Sequence, residues 1–174
     1  MFPQRRTKTT VLIVGEGPKD QTFLHHLKEI YVLREGEIAV KVECGSGGCP
    51  RSVIQKAIRL RDSRDYDKCV VFVDGDVPLK IDRELNRRIK EKPRVEIRLI
   101  KPCMEGLLLE ILRHPNFKRY GSPAGFCKRE FEAYIPIGKQ TETISYARIF
   151  PKHLIDSRRI SVPDLNAILK IMGA

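Results

Sequence analysis

The residues best placed to do chemistry are three acids. Glu16 follows the apolar run at residues 10–14 (TVLIV), and Asp74 and Asp76 follow the run at 69–73 (CVVFV), with Gly75 between them. Carboxylate oxygens are the hard ligands that Mg²⁺ or Mn²⁺ takes, commonly one or two of them, with water and substrate phosphates completing the shell. The i, i+2 spacing at a strand end lets Asp74 and Asp76 reach one ion. Gly75 removes a side chain where the backbone must turn. Singly, each acid also suits a turn, or the first turn of a helix, where the dipole favours negative charge. Together, in a chain of net charge +11, grouped like charges at matching strand ends point to a cation site.

The elements around these acids alternate. Residues 10–14 are short, β-branched and apolar, as in strands buried on both faces. Gly15-Glu16-Gly17-Pro18 breaks the run, and Phe23, Leu24, Leu27, Ile30 and Tyr31 then mark one face of a helix. Residues 38–43 (IAVKVE) read as a second strand. A glycine-rich turn at 45–48 leads through Pro50 into a second helix with Val53, Ile54, Ala57, Ile58 and Leu60 as its apolar positions. Residues 69–73 are the third strand. Beyond Pro78 the spacing predicts a basic helix on Ile81, Leu85 and Ile89, and residues 95–100 (VEIRLI) are a fourth strand. Strands alternating with helices imply an α/β fold, a Rossmann-like, mostly parallel four-stranded sheet flanked by helices and built with right-handed crossovers. In such sheets ligands bind beyond the carboxyl ends of the strands. The first and third strands are neighbours in the common doubly wound orders, so the three acids would converge.

Lys101-Pro102-Cys103 opens an apolar helix over residues 104–112. From 114 to 151 prolines and glycines interrupt any periodicity, and Phe117, Tyr120, Phe126, Phe131 and Tyr134 alternate with basic residues. The chain closes on a helix with Leu165, Ile168, Leu169 and Met172 as its stripe, Pro163 in its first turn and Ser161 as its cap. The 174 residues read as one domain, with a core at about 10–112 and an irregular insert plus a C-terminal helix at 113–174.

Lys and Arg number 33 against 22 Asp and Glu, a balance that implies a polyanionic partner, nucleic acid being the commonest. Arg83, Arg87 and Lys90 fall near one face of the basic helix and are candidate phosphate contacts, as is Lys19, one turn after Glu16. The bland reading is a solvated basic face. No apolar run approaches the ~20 residues of a bilayer span. The basic N-terminus (MFPQRRTKTT) precedes too short an apolar stretch for a signal sequence, so a cytoplasmic protein with no membrane partner is expected. Five cysteines are an odd number, and Cys44 and Cys49 lack the spacing of a zinc site. Cys69 reads as a small core residue.

LIVGEGPKD followed by VVFVDGDVP resembles the Toprim domain, whose apolar strands end in Glu-Gly and in Asp-x-Asp. More narrowly, the chain is similar to the RloB-like branch. Gly45-Ser46-Gly47-Gly48-Cys49-Pro50 stands where that branch has a Gly-rich turn ending in Pro. Lys101-Pro102-Cys103-Met104-Glu105-Gly106 stands where it reads Asn-Pro-Cys-Phe-Glu-Leu. The resemblance spans residues 10–112. Lys101 departs from the usual Asn, and the Asp-x-Asp lacks a downstream Gly. The resemblance implies a Mg²⁺- (or Mn²⁺-) dependent nuclease acting on DNA or RNA, of a kind found as effectors in anti-phage defence. It assigns Asp74 and Asp76 to the metal, Glu16 to acid–base work or a second metal, and Glu105 to a further ligand. A favourable first-turn charge explains Glu105 equally well. It also implies a separate ATPase partner, since this chain has no GxxxxGK[ST] loop, and leaves room for a homo-oligomer. The alternative is a non-catalytic Toprim-like module that binds nucleic acid or protein. A phosphotransferase built on Asp74-Gly75-Asp76 ranks last, because Glu16 occupies the position after the first strand where such enzymes carry their pair.

Overall fold

Parallel pairing with crossover helices is the way these alternating runs bury their apolar sides. The computed structural model describes residues 8–174; the basic residues 1–7 lie outside the described part. Strands β1 (Thr9–Gly15), β2 (Ile38–Cys44), β3 (Lys68–Asp74) and β4 (Val95–Ile100) form one sheet in the order β2-β1-β3-β4, all parallel. The chain steps from β1 outward to β2, then back across β1 to β3 and on to β4. The order therefore reverses between β1 and β3, and a doubly wound sheet opens its crevice at that point.

Strand alternation sorts the core into two layers. Val11, Ile13, Val42, Val70 and Phe72 face α1 (Pro18–Tyr31) and α4 (Met104–Ile111). Leu12, Val14, Cys69, Val71 and Val73 face α2 (Pro50–Asp62) and α3 (Arg83–Lys90). Cys69 is buried there, in keeping with its reading as a core residue. Asp74 follows Val70 and Phe72 in the two-residue period, so it belongs to the α1/α4 side.

Local chemistry fixes the helix starts. Pro18 opens α1 and Pro50 opens α2, where a missing N–H leaves nothing unsatisfied. Asp82 caps α3 by accepting the Leu85 N–H at 2.8 Å. Helix α3 starts at Arg83, so Ile81 lies outside it and is exposed.

The segment expected to be irregular is helical in short pieces: α5 (Ala124–Glu132), a single 3₁₀ turn (Ile137–Lys139), α6 (Thr143–Ile149) and α7 (Lys152–Arg158). Each is seven to nine residues long or shorter, and prolines sit at the breaks, which is why no long periodicity shows. Tyr146 and Phe150 meet Phe23 of α1, tilted and edge-on, and Phe131 packs against Tyr146 and Phe150 to close the larger core. Helix α8 (Pro163–Ile171) buries Leu165, Ile168 and Leu169 as expected, but Val162 precedes it at the cap position. Ser161 instead bonds Arg158, accepting from its guanidinium and donating to its carbonyl. Among the described residues no helix is long and apolar enough to cross a membrane.

Candidate metal centre

The carboxyl ends of β1 and β3 are tied together by one of the expected acids. Glu16 Oε2 accepts the Asp74 N–H at 2.9 Å, across the point where the sheet order reverses. Its other oxygen carries no hydrogen bond among the described residues. The turn after β2 folds over Glu16: Gly47 donates to the Glu16 carbonyl at 2.8 Å and Gly45 to the Gly15 carbonyl at 2.7 Å. Ser46, Gly47 and Gly48 all have positive φ, the region glycine enters without penalty. A Cβ on Gly45 would meet Val53 Cγ1 at 2.6 Å and two carbonyl oxygens at 3.0 Å, so the turn can lie this close only with glycine there.

Asp74 is almost buried. Its Oδ1 accepts the Met104 N–H at 2.9 Å, at the start of α4, and its Oδ2 faces Lys128 Nζ at 3.9 Å. Gly75 brings the β3 end against the β4 end: its N–H donates to the carbonyls of Ile100 and Pro102 at 2.8 and 3.1 Å. That contact carries α4, and with it Glu105, to the side of Asp74. Asp74, Cys103 and Glu105 each bring a potential ligand atom within 4.8 Å of the others. Glu105 is 7% exposed, yet among the described residues it accepts no hydrogen bond and forms no ion pair. Its carboxylate opens onto the cavity it shares with Lys128, whose positive charge it helps to hold. A cation between Glu105 and Asp74 would offset the repulsion between these two like charges.

Asp20 joins the group from the first turn of α1, its carboxylate accepting the Gly17 N–H at 3.1 Å. Burial pushes its carboxyl up to about 7, with Glu105 and Glu16 adding to the rise against the Gly17 hydrogen bond. Burial likewise pushes Asp74 up to about 8, reinforced by Asp20 and Glu16. Burial, and then Glu105, pushes the Cys103 thiol up; the hard donors of the group are the carboxylate oxygens. Lys128 of α5 lies 3.9 Å from both Asp74 and Asp76. Burial acts to lower its pKa, but Glu105, Asp74 and Asp76 together raise it.

Glu16, Lys19, Asp20, Asp74, Glu105 and Lys128 line one open cavity of about 270 Å³. Of the expected residues, then, Glu16, Asp74, Glu105 and Lys19 come together. Asp76 stands at the rim, exposed, where it meets Lys128. Arg83, Arg87 and Lys90 are not among the residues that line this cavity. Helix α3 packs through Leu85 and Ile89 on the α2 side of the sheet, opposite the face to which Asp74 belongs. Arg87 pairs with Glu91 at 2.9 Å. Arg88 pairs with Asp62 and Glu91, and these join the buried Arg61 where β3 and β4 begin, at the far end of the strands from the acids. Asp20 and Lys128 were missed. Asp20 looks like an ordinary first-turn acid, although its position five residues after Gly15 did place it beside Glu16. Lys128 sits in the weakly periodic segment and carries no sequence signal.

Comparison of the chain with protein-family models, with curated proteins and with solved structures gave no match.

Proposed function

We propose that this chain is a Toprim-like, Mg²⁺- or Mn²⁺-dependent nuclease that cleaves phosphodiesters of DNA or RNA at the β1/β3 crevice. The observation that carries the reading is the convergence of Asp74 and Glu105, with ligand atoms within 4.8 Å of one another, in the cavity where the sheet order reverses. The donor set fits a hard divalent ion: carboxylate oxygens from two elements in an open cavity, with a neutral thiol beside them. Asp74 Oδ2 and Glu105 would hold the ion, with Glu16 and the rim residue Asp76 as the next nearest carboxylates. A bound divalent ion supplies Lewis-acid polarisation of the phosphate and lowers the pKa of its water.

The chain's own groups do the rest. Lys128 and Lys19 offer positive charge at the mouth of an otherwise acidic cavity, where a phosphate oxygen would enter. Glu16 holds β1 to β3 with one oxygen and keeps the other for a proton. The wider balance of +11 favours a polyanion over a small neutral substrate. Membership of the RloB-like branch, a role in anti-phage defence and a separate ATPase partner remain part of this proposal and rest on the sequence motifs alone.

The competing reading is a binding module that holds nucleic acid without turnover. Glu16→Gln separates the two, because it keeps size and the hydrogen-bond acceptor to Asp74 while removing basicity. A positioned acid–base group contributes ~10²–10⁴-fold, so metal-dependent cleavage of labelled DNA and RNA should fall by that order while binding persists. No cleavage by the parent chain with any divalent ion, tested alone and with neighbouring-gene products added, would leave the binding module.

A further inference from the structure

Both edges of the sheet, β2 and β4, are open, and edges of this kind are usually blunted by charge. They are not alike. On β2 the apolar positions Val40 and Val42 are already buried by α1, and the outward pair is Lys41–Glu43 at 3.3 Å. On β4, Leu99 is 43% exposed and Ile97 only partly covered. The alternate positions carry Glu96 and Arg98, paired with each other along the strand. None of the backbone hydrogen bonds beyond the sheet ladders and helices involves residues 95–99 among the described residues, so the outer side of β4 has no backbone partner. Beside Glu96 and Arg98 lies a groove of about 480 Å³, floored by Val70 and bounded by Asn166 and Lys170 of α8.

We infer that β4 is the interface of a homodimer, in which two copies pair antiparallel about a twofold axis at Ile97 and the two sheets become one of eight strands. A twofold pairing is self-complementary: if residue i meets j of the partner, j meets i. Because side chains alternate, only registers that keep like faces together are allowed. Centred on Ile97, the register places Glu96 opposite the partner's Arg98 and Arg98 opposite the partner's Glu96. On the other face Ile97 meets its own copy, and Leu99 covers the partner's Val95. Moving the axis by one residue toward either end sets Arg98 against Arg98 or Glu96 against Glu96, and like charges directly opposite are destabilising. The charges of the strand thus favour the register centred on Ile97 over its immediate neighbours. Leu99 of β4 is an exposed large apolar residue and β2 carries none, so β4 is the edge that gains more. The inference stands on β4 alone and does not depend on the catalytic reading.

Charge reversal tests it. Sedimentation equilibrium of the full chain should give a species of twice the 20.0 kDa chain mass. Glu96→Arg and Arg98→Glu should each reduce it to one chain's mass, and the two variants mixed should form a heterodimer, since each supplies the charges the other lacks. The double variant carrying both changes should pair with itself again. Circular dichroism of the single variants must match the parent, and recovery on mixing shows directly that they are folded. A parent chain that stays at one chain's mass, or a dimer that survives either single reversal, overturns the inference. So does tight binding of a peptide of residues 94–100 to a monomeric parent, which would make the edge a groove for extended segments instead.

Discussion

Replacing Asp74 by Asn asks whether the buried acid cluster is a strained, cation-requiring site or merely a polar corner. Asp74 has its carboxyl raised from 3.8 to about 8, chiefly by burial and then by the charges of Asp20 and Glu16. A raised folded-state value means that the folded protein holds a proton the unfolded chain releases. Asp74 therefore contributes stability that is fully present below about pH 4 and is lost as pH rises through about 8. At about 1.4 kcal/mol per pH unit between the two values, the loss has a ceiling of about 6 kcal/mol. Part of it is repulsion shared with Asp20, so about 3 kcal/mol is the working expectation. Asn keeps an oxygen for the Met104 N–H and carries no charge at any pH. In urea unfolding with a chelator present, Asp74→Asn should match the parent near about pH 4 and exceed it by about 3 kcal/mol near about pH 9. Divalent ion should restore the parent at alkaline pH, by about 2.7 kcal/mol at a hundredfold excess over Kd, and leave the variant unmoved. Parallel loss of stability in parent and variant between those pH values would refute the assignment of Asp74 as the titrating group.

Three further outcomes follow from the same geometry. Arg61→Ala removes a buried guanidinium that donates to the carbonyls of Arg88 and Glu91 at 2.9 and 3.1 Å; denaturant unfolding should show a loss of about 3–5 kcal/mol, and a loss under about 1 kcal/mol would mean that water replaces it. Neutralising Arg83, Arg87 and Lys90 together should leave the salt dependence of nucleic-acid affinity unchanged, because α3 lies on the face away from the acids. Lys128→Gln, by contrast, should lower that salt slope by about one unit, and fluorescence anisotropy across a salt series checks both.

Much of the frame was legible in residues 10–112. The β-branched runs at 10–14 and 69–73 give the two central strands, and their ends give Glu16 and Asp74. The glycine turn at 45–48 and the Pro-Cys-Met-Glu segment mark where the chain returns to those ends. Helix α3 is legible in its apolar and charge spacing; the side of the sheet it takes is not. Once the order β2-β1-β3-β4 is known, right-handed crossovers put α1 on one side and α2 and α3 on the other, while the two-residue period puts Asp74 on the α1 side. Charge periodicity cannot supply that, since it says only which helix positions share a face. Asp20 and Lys128 were hidden for different reasons. A first-turn acid has a sufficient local explanation in the Gly17 hydrogen bond, and Glu16 and Glu105 come near it only in the folded chain. Lys128 reaches the acids from a nine-residue helix whose position depends on long-range contact with α4 rather than on any local pattern.

The central claim is that Asp74 and Glu105 together hold a divalent cation. Its most direct measurement is a titration of the chelator-treated chain with Mn²⁺, followed by electron paramagnetic resonance of the free ion, for the parent, Asp74→Asn and Glu105→Gln. The account predicts saturable binding by the parent that strengthens as pH rises through about 8 and the raised carboxyls deprotonate. Each substitution should weaken binding at least about tenfold without loss of fold. Mn²⁺ binding of equal strength in all three proteins, or none in the parent above about pH 8, would contradict it.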